Sequence, residues 1–381
     1  MNPDTTLAIS GARILTPEAW LDAHAVVIDG GHIAAVEPFD HRHDGAGAQR
    51  LDGGFLVPGF IDVQVNGGGG MLFNDRPDMD GVRAIADAHR AYGTTGLLPT
   101  LISDDLAVVA RAIAAVDAAI DAGVPGVVGI HLEGPFLNPD KRGIHDAARF
   151  RRIDAAAIEL LSSLRGGVTV VTLAPELADE GMVAALRARG VVVAAGHSMA
   201  DHACMARAIG EGLTGVTHLF NAMTQMEGRS PGVVGAALDA KLFCGLIADG
   251  VHVHPASMRV ALAAAGVGRV MLVTDAMPTV GMADKRFTLG GREIVAEAGA
   301  CRAQDGTLAG SDLDMAQAVR NAVAMLGVDV ADASRMASAT PARFLGLGDS
   351  IGAIRPGYRA DFVHLDEALQ VRGVWIGGVR R

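Results

Sequence analysis

Aromatic residues make up only 4% of this 381-residue chain, with two tryptophans and two tyrosines beside 11 phenylalanines. Half of the chain is nevertheless hydrophobic, so a large core is available, filled by Ala, Val, Leu and Ile rather than by rings. Cysteine is as scarce: Cys204, Cys244 and Cys301 lie far apart and form no CxxC pair. An odd, sparse set excludes a disulfide framework and reads as reduced thiols of a cytoplasmic protein. Positive charge is short as well, with 32 Lys and Arg against 43 Asp and Glu, a net charge of -11. That balance argues against a nucleic-acid surface, which needs a basic excess to neutralise phosphates. A small anionic substrate remains open, because it needs only one or two local cations. No apolar stretch approaches ~20 residues without Gly, Pro or charge, so no membrane span is expected. The opening MNPDTTLAISGARIL lacks the basic region and apolar run of a signal peptide, which again points to the cytoplasm.

What the chain does have is length and alternation. Residues 1–54 and 350–381 carry short β-forming stretches divided by Gly-rich turns, such as LAISGARIL and AVVIDGGHIAAVEP at one end and LQVRGVWIGGVR at the other. The two ends are expected to meet in a small β-sandwich domain. Between them, residues 55–349 alternate Val/Ile/Leu-rich runs with Ala-rich amphipathic stretches, which predicts a parallel sheet covered by helices. From Lys285 to Ala309 the rhythm breaks into β-hairpins, read as an insertion that partly covers the site.

Polar residues mark one end of that sheet. Glu133, His197, His218, His252 and Asp275 each fall at or just past the C-terminal end of a separate predicted strand. An open doubly wound sheet also binds ligands at strand ends. Too many strands contribute here for one crevice, so the fold class is α/β, a (β/α)₈ TIM-like barrel. Glu133, His197 and His218 offer one carboxylate and two imidazoles, a set that suits Zn²⁺ and accepts Fe²⁺ or another first-row ion. Each alone reads as an ordinary hydrogen-bonded strand-end residue; three together are costly to bury unpartnered. His41 and His43, in DHRHDG, read as a solvated loop pair, and His131, two residues before Glu133, as core or support.

The motifs PGFIDVQVNGGGG, TTGLLPT, HLEGPFLNPDKRGIH, GHS, THLFNAM, DGVHV, TDAM and LAGS run in order through essentially the whole chain. In these the sequence resembles the N-acetylglucosamine-6-phosphate deacetylases of the amidohydrolase superfamily. The resemblance implies Glu133, His197 and His218 as ligands of one divalent metal ion per subunit. It implies Asp275 as general base and later acid, and His145 against the acetyl carbonyl. Phosphate contacts fall to Arg229 and His252, with Asn221 and Ala222 contributing through their loop, and Leu308, Ala309 and Gly310 closing over the sugar. A homodimer is implied too, since the phosphate residues of this family can reach across from a neighbouring subunit; which subunit supplies Arg229 stays open. Many amidohydrolases carry HxH on the first barrel strand and bind two metals. Here that place falls at Asp62-Val63-Gln64, which offers no imidazole, leaving one tight ion and at most a weaker second one near Gln64. Another barrel amidohydrolase with a different amide substrate is the rival reading; a catalytically dead scaffold ranks far below, since no matching position is lost.

Overall fold

The computed structural model describes residues 7–45 and 47–381; residues 1–6 and 46 of the expected terminal unit lie outside them. Eight parallel strands form the centre, here β1 (Phe60–Val65), β2 (Thr94–Ile102), β3 (Gly129–Glu133), β4 (Val168–Leu173), β5 (Val192–Ala195), β6 (Gly215–Val216), β7 (Phe243–Ile247) and β8 (Val270–Val273). Consecutive strands are neighbours throughout. Their near-continuous apolar runs follow from position: helices cover the outer face and the barrel fills its own interior, so neither face meets water. Helices α1 (Met79–Arg90), α2 (Leu106–Asp121), α3 (Ala155–Leu161), α4 (Met182–Ala188), α5 (His202–Gly210), α6 (Gly232–Asp239), α7 (Pro255–Ala265) and α8 (Met315–Asn321) return the chain between strands or follow the last one. Aspartates start several of them. Asp78, Asp154, Asp201 and Asp314 each accept a backbone N–H three residues on, satisfying a donor that the first turn leaves free.

The seam between β8 and β1 is closed unevenly. At the C-terminal end the Asp275 N–H donates to the Gln64 carbonyl (3.0 Å) and the Asn66 N–H to the Ala276 carbonyl (2.9 Å). Lower down a side chain takes over: the Asp62 carboxylate accepts from the Thr274 hydroxyl (2.5 Å) and backbone N–H (3.3 Å). Asp62 has no exposed surface, and burial pushes its pKa up to about 7 against the opposing pull of the Thr274 hydrogen bond.

The two chain ends do meet. One sheet orders His32–Pro38, His24–Asp29, Leu7–Ser10 and Gln49–Arg50, and the other orders Val379–Arg380, Val371–Ile376, Phe362–Leu365, Phe55–Pro58, Arg13–Leu15 and Trp20–Leu21. Ile9, Ile14, Val26, Ile28, Leu56, Phe362 and Trp375 are buried together as their common core. Phe55–Pro58 pairs with both Arg13–Leu15 and Phe362–Leu365, so the chain crosses into the barrel at Gly59 rather than after residue 54. His43 also differs from its solvated reading. It is buried, with Nδ1 accepting the Asp40 N–H (3.0 Å) and Nε2 3.0 Å from Glu37 Oε1, because the loop folds over it as a short helical turn.

The insertion is a four-stranded antiparallel sheet of Arg286–Leu289, Arg292–Glu297, Ala300–Ala303 and Leu308–Ser311. Leu289, Ile294, Cys301 and Ala309 bury its inner face against Leu72, Ile102 and Met277 at the barrel mouth.

Candidate metal centre and active site

Glu133 ends β3, while His197 and His218 stand just past the ends of β5 and β6. All three are buried, and their ligand atoms lie within 4.8 Å of one another. Glu133 Oε1 is 3.1 Å from His197 Nε2 and 2.9 Å from His218 Nε2, and the two Nε2 atoms are 3.1 Å apart. A carbonyl only accepts, so His197 Nδ1 donates to the Lys141 carbonyl 2.7 Å away. The Nε2 of a neutral His197 then turns a lone pair toward a carboxylate and a second imidazole. One carboxylate oxygen and two imidazole nitrogens converging at such burial suit a divalent cation. Burial would raise the Glu133 carboxyl, but the close His197 and His218 imidazoles outweigh it and hold it well below the usual carboxylate range.

The backbone here is held in unfavourable regions. His197, His218, Ala222 and Asp275 have φ of 48°, 33°, 49° and 51°, left-handed values that cost a non-glycine residue roughly 1–3 kcal/mol in a strained site. His197, His218 and Asp275 each stand two residues past the end of a strand, where the chain turns sharply at the mouth.

Asp275 sits just past β8, buried, with its carboxyl pushed up to about 6, first by burial and then by the Glu133 charge. Its Oδ1 accepts from Asn66 Nδ2 (2.6 Å) and Gln64 Nε2 (3.1 Å), and the same Gln64 amide also donates to Glu133 Oε2 (3.2 Å). The polar pair at the end of β1 is therefore Gln64 and Asn66, one step further along than Asp62 and Gln64. Asp62 lies below, on the seam. The alternation of a strand carries the signal, since Asp62, Gln64 and Asn66 share one face and Asn66 is the one nearest the mouth.

His145 reaches in from the loop after β3. The Ser103 backbone N–H donates to its Nδ1 (3.4 Å), and the Ser103 hydroxyl lies 2.8 Å from the same nitrogen. With Nδ1 accepting, Nε2 carries the proton. Burial, then the neighbouring His197, press the pKa down to about 3, so the ring is a neutral N–H donor. His252 lies beyond β7; its Nδ1 is 2.5 Å from Asp249 Oδ2, and its buried Nε2 has no partner among the described residues. Burial works against the Asp249 charge, yet the His252 hydrogen bond prevails and lowers its pKa.

A cavity of about 320 Å³ gathers these groups. Asn66, Glu133, Lys141, His145, His197, His218, Asn221, Ala222, His252 and Asp275 line it, and Leu308 and Gly310 of the insertion form one wall. Ala309 faces the other way, into the insertion's core. His131 is beneath the floor, between the hydroxyls of Thr172 (2.7 Å) and Thr100 (3.3 Å), and burial lowers its pKa to about 4. Arg229 is not brought in. It is exposed on the turn Glu227–Ser230, outside the cavity. Ser103, Asp249 and Lys141 escaped the sequence reading, although Ser103 directly follows β2 and Asp249 stands three residues before His252.

Residues 55–381 match the model of the amidohydrolase family. This chain is an amidohydrolase. It is similar to the N-acetylgalactosamine-6-phosphate deacetylase of Shewanella sp. (strain ANA-3), at 42% identity over 99% of this chain and 96% of that one. The N-acetylglucosamine-6-phosphate deacetylase of Bos taurus is 38% identical over 97% of this chain and 92% of its own. Among solved structures, the N-acetyl-D-glucosamine-6-phosphate deacetylase of Mycobacterium smegmatis, in complex with N-acetyl-D-glucosamine-6-phosphate, superposes with a TM-score of 0.91. It is 34% identical, and the match covers 99% of each chain. No helix among the described residues of this amidohydrolase is long and apolar enough to cross a membrane.

Proposed function

We propose that this amidohydrolase removes the acetyl group of N-acetylglucosamine 6-phosphate, yielding glucosamine 6-phosphate and acetate. The observation that carries the reading is one cavity holding the Glu133, His197 and His218 cluster together with a buried Asp275, in a chain alike over its whole length to deacetylases of this substrate class.

Glu133, His197 and His218 would hold one divalent ion, Zn²⁺ first and Fe²⁺ as an alternative, which supplies an acidified water and a Lewis acid for the carbonyl. Asp275 takes the proton of the attacking water and later gives it to the departing amine. Its raised pKa suits both directions of transfer. The neutral His145 donates its Nε2–H to the acetyl oxygen as negative charge gathers there. His252, fixed by Asp249, turns Nε2 into the cavity toward the sugar phosphate. In a homodimer, Arg229 of a neighbouring copy would bring the guanidinium that is missing from the cavity of a single chain. The Leu308–Ser311 strand closes the sugar side.

A second reading differs in one carbon centre. The relative at 42% identity is named for the galactosamine substrate, whose C4 hydroxyl is inverted, and every side chain given a role above acts at C2 or the phosphate. Acetate release from both N-acetylhexosamine 6-phosphates, with metal analysis of the pure protein, tests the proposal. Turnover of neither substrate by a metal-loaded preparation would refute it. Arg229→Ala should raise KM for the phosphorylated sugar far more than for free N-acetylglucosamine; equal effects on both would remove Arg229 from the phosphate.

A further inference from the structure

Asn66 has one atom that the site described so far does not use. Its Nδ2 grips Asp275 Oδ1 at 2.6 Å, while its Oδ1 is buried and has no hydrogen-bond partner among the described residues. The residue is 1% exposed and lines the cavity. The orientation of the amide follows from its neighbour, because a carboxylate oxygen accepts and must face the NH₂ group. An acceptor left unmade at such burial is costly, and Asn66 is a lining residue of the cavity, so a substrate group seated against it is the partner available.

On the deacetylase reading, Asp275 has to reach the substrate nitrogen to protonate it. Its Oδ1 is already engaged by Gln64 and Asn66, so Oδ2 is the oxygen left for proton transfer. A nitrogen protonated from Oδ2 would be seated on the same carboxyl that the Asn66 amide holds by its other oxygen. Of the substrate's own reacting atoms, only this nitrogen carries a hydrogen-bond donor, the acetamido N–H.

We propose that Asn66 is a substrate-recognition residue whose Oδ1 accepts the acetamido N–H while its Nδ2 orders Asp275. With the N–H drawn to Asn66, the nitrogen lone pair turns to Asp275. When the C–N bond breaks, its electron pair stays on nitrogen. The proton that Asp275 took from water passes to that nitrogen, so the amine leaves neutral and Asp275 returns to carboxylate. Asn66 holds the original N–H throughout and exchanges no proton. Gln64 differs in kind: it orders Asp275 and Glu133 but lines no part of the cavity, which makes it a positioning residue.

The inference rests on the deacetylase reading, and an ester separates the two. In 2-O-acetylglucose 6-phosphate an oxygen replaces the N–H, so no donor is left at that position. The test compares kcat/KM for amide and ester in the wild type, Asn66→Ala, Asn66→Ser and Gln64→Ala, each with its metal content measured. All three variants should be slower on both compounds, because Asp275 loses a partner. In the Asn66 variants the amide should lose about ten-fold more than the ester, the size of one hydrogen bond. In Gln64→Ala the amide-to-ester ratio should stay at the wild-type value. An unchanged ratio in both Asn66 variants, or an equal fall in Gln64→Ala, overturns the inference. Failure of the wild type to cleave the amide overturns the deacetylase reading instead.

Discussion

Three causes meet on the carboxyl of Asp275, the residue proposed to move the proton. Burial and the Glu133 charge raise its pKa, and the amides of Gln64 and Asn66 hold one oxygen and leave the other free. Asp275→Asn keeps size and burial but cannot accept a proton from water. We expect it to lose at least about 10²-fold in kcat, the low end of what a general base contributes, with metal content unchanged. Near-normal acetate release from that variant would take the role away from Asp275. His145 offers a contrast at the same scale. Its neutrality follows from burial beside another imidazole, and its tautomer from the Ser103 N–H, so it suits donation to a carbonyl and not charge transfer.

At the scale of elements, the insertion is a wall bonded to the segment that carries Asp275. The Ser311 N–H donates to the Asp275 carbonyl (2.9 Å), and the Ser311 hydroxyl to the Thr274 carbonyl (2.5 Å). Gly310 is required at this junction: its φ is +70°, and a Cβ would stand 2.6 Å from the Asp275 carbonyl oxygen. Gly310→Ala should therefore push the strand off Asp275 and lower kcat about ten-fold or more, since small misplacements of reacting groups carry such effects. Steady-state rates of the folded variant, checked by circular dichroism, would show it. The β8–β1 seam yields a pH prediction. Folding raises the Asp62 pKa from the ordinary 3.8 to about 7, so between these values the folded protein binds more protons than the unfolded chain. Stability then falls as pH rises through that window. Asp62→Asn, which mimics the protonated group against Thr274, should flatten the dependence. Urea unfolding at pH 5 and pH 8 would reveal it, and parallel curves for both proteins would count against a protonated seam.

Across the whole molecule, the metal cluster links three strands that are distant in sequence. Removing the ion with a chelator should lower the melting temperature and abolish turnover, both restored by Zn²⁺, since a ligand bound only by the folded chain stabilises it. A melting curve insensitive to chelation would mean that no ion ties β3, β5 and β6 together. Much of this architecture could be read along the chain. Apolar runs ending in Glu133, His197, His218 and Asp275 mark parallel strands with one functional rim, because strand direction and the covering helices oblige the ends to converge. The hairpin residues of 285–309 and the β-rich termini likewise reveal themselves by local pattern. Local pattern does not say which oxygen faces which nitrogen. The shift from Asp62 and Gln64 to Gln64 and Asn66, the buried His43, the Ser103 support of His145 and the exclusion of Arg229 from the cavity were all decided by tertiary structure. Each depends on register between strands or on how a loop folds back, and those are settled by packing between residues far apart in the chain rather than by the propensities of neighbours.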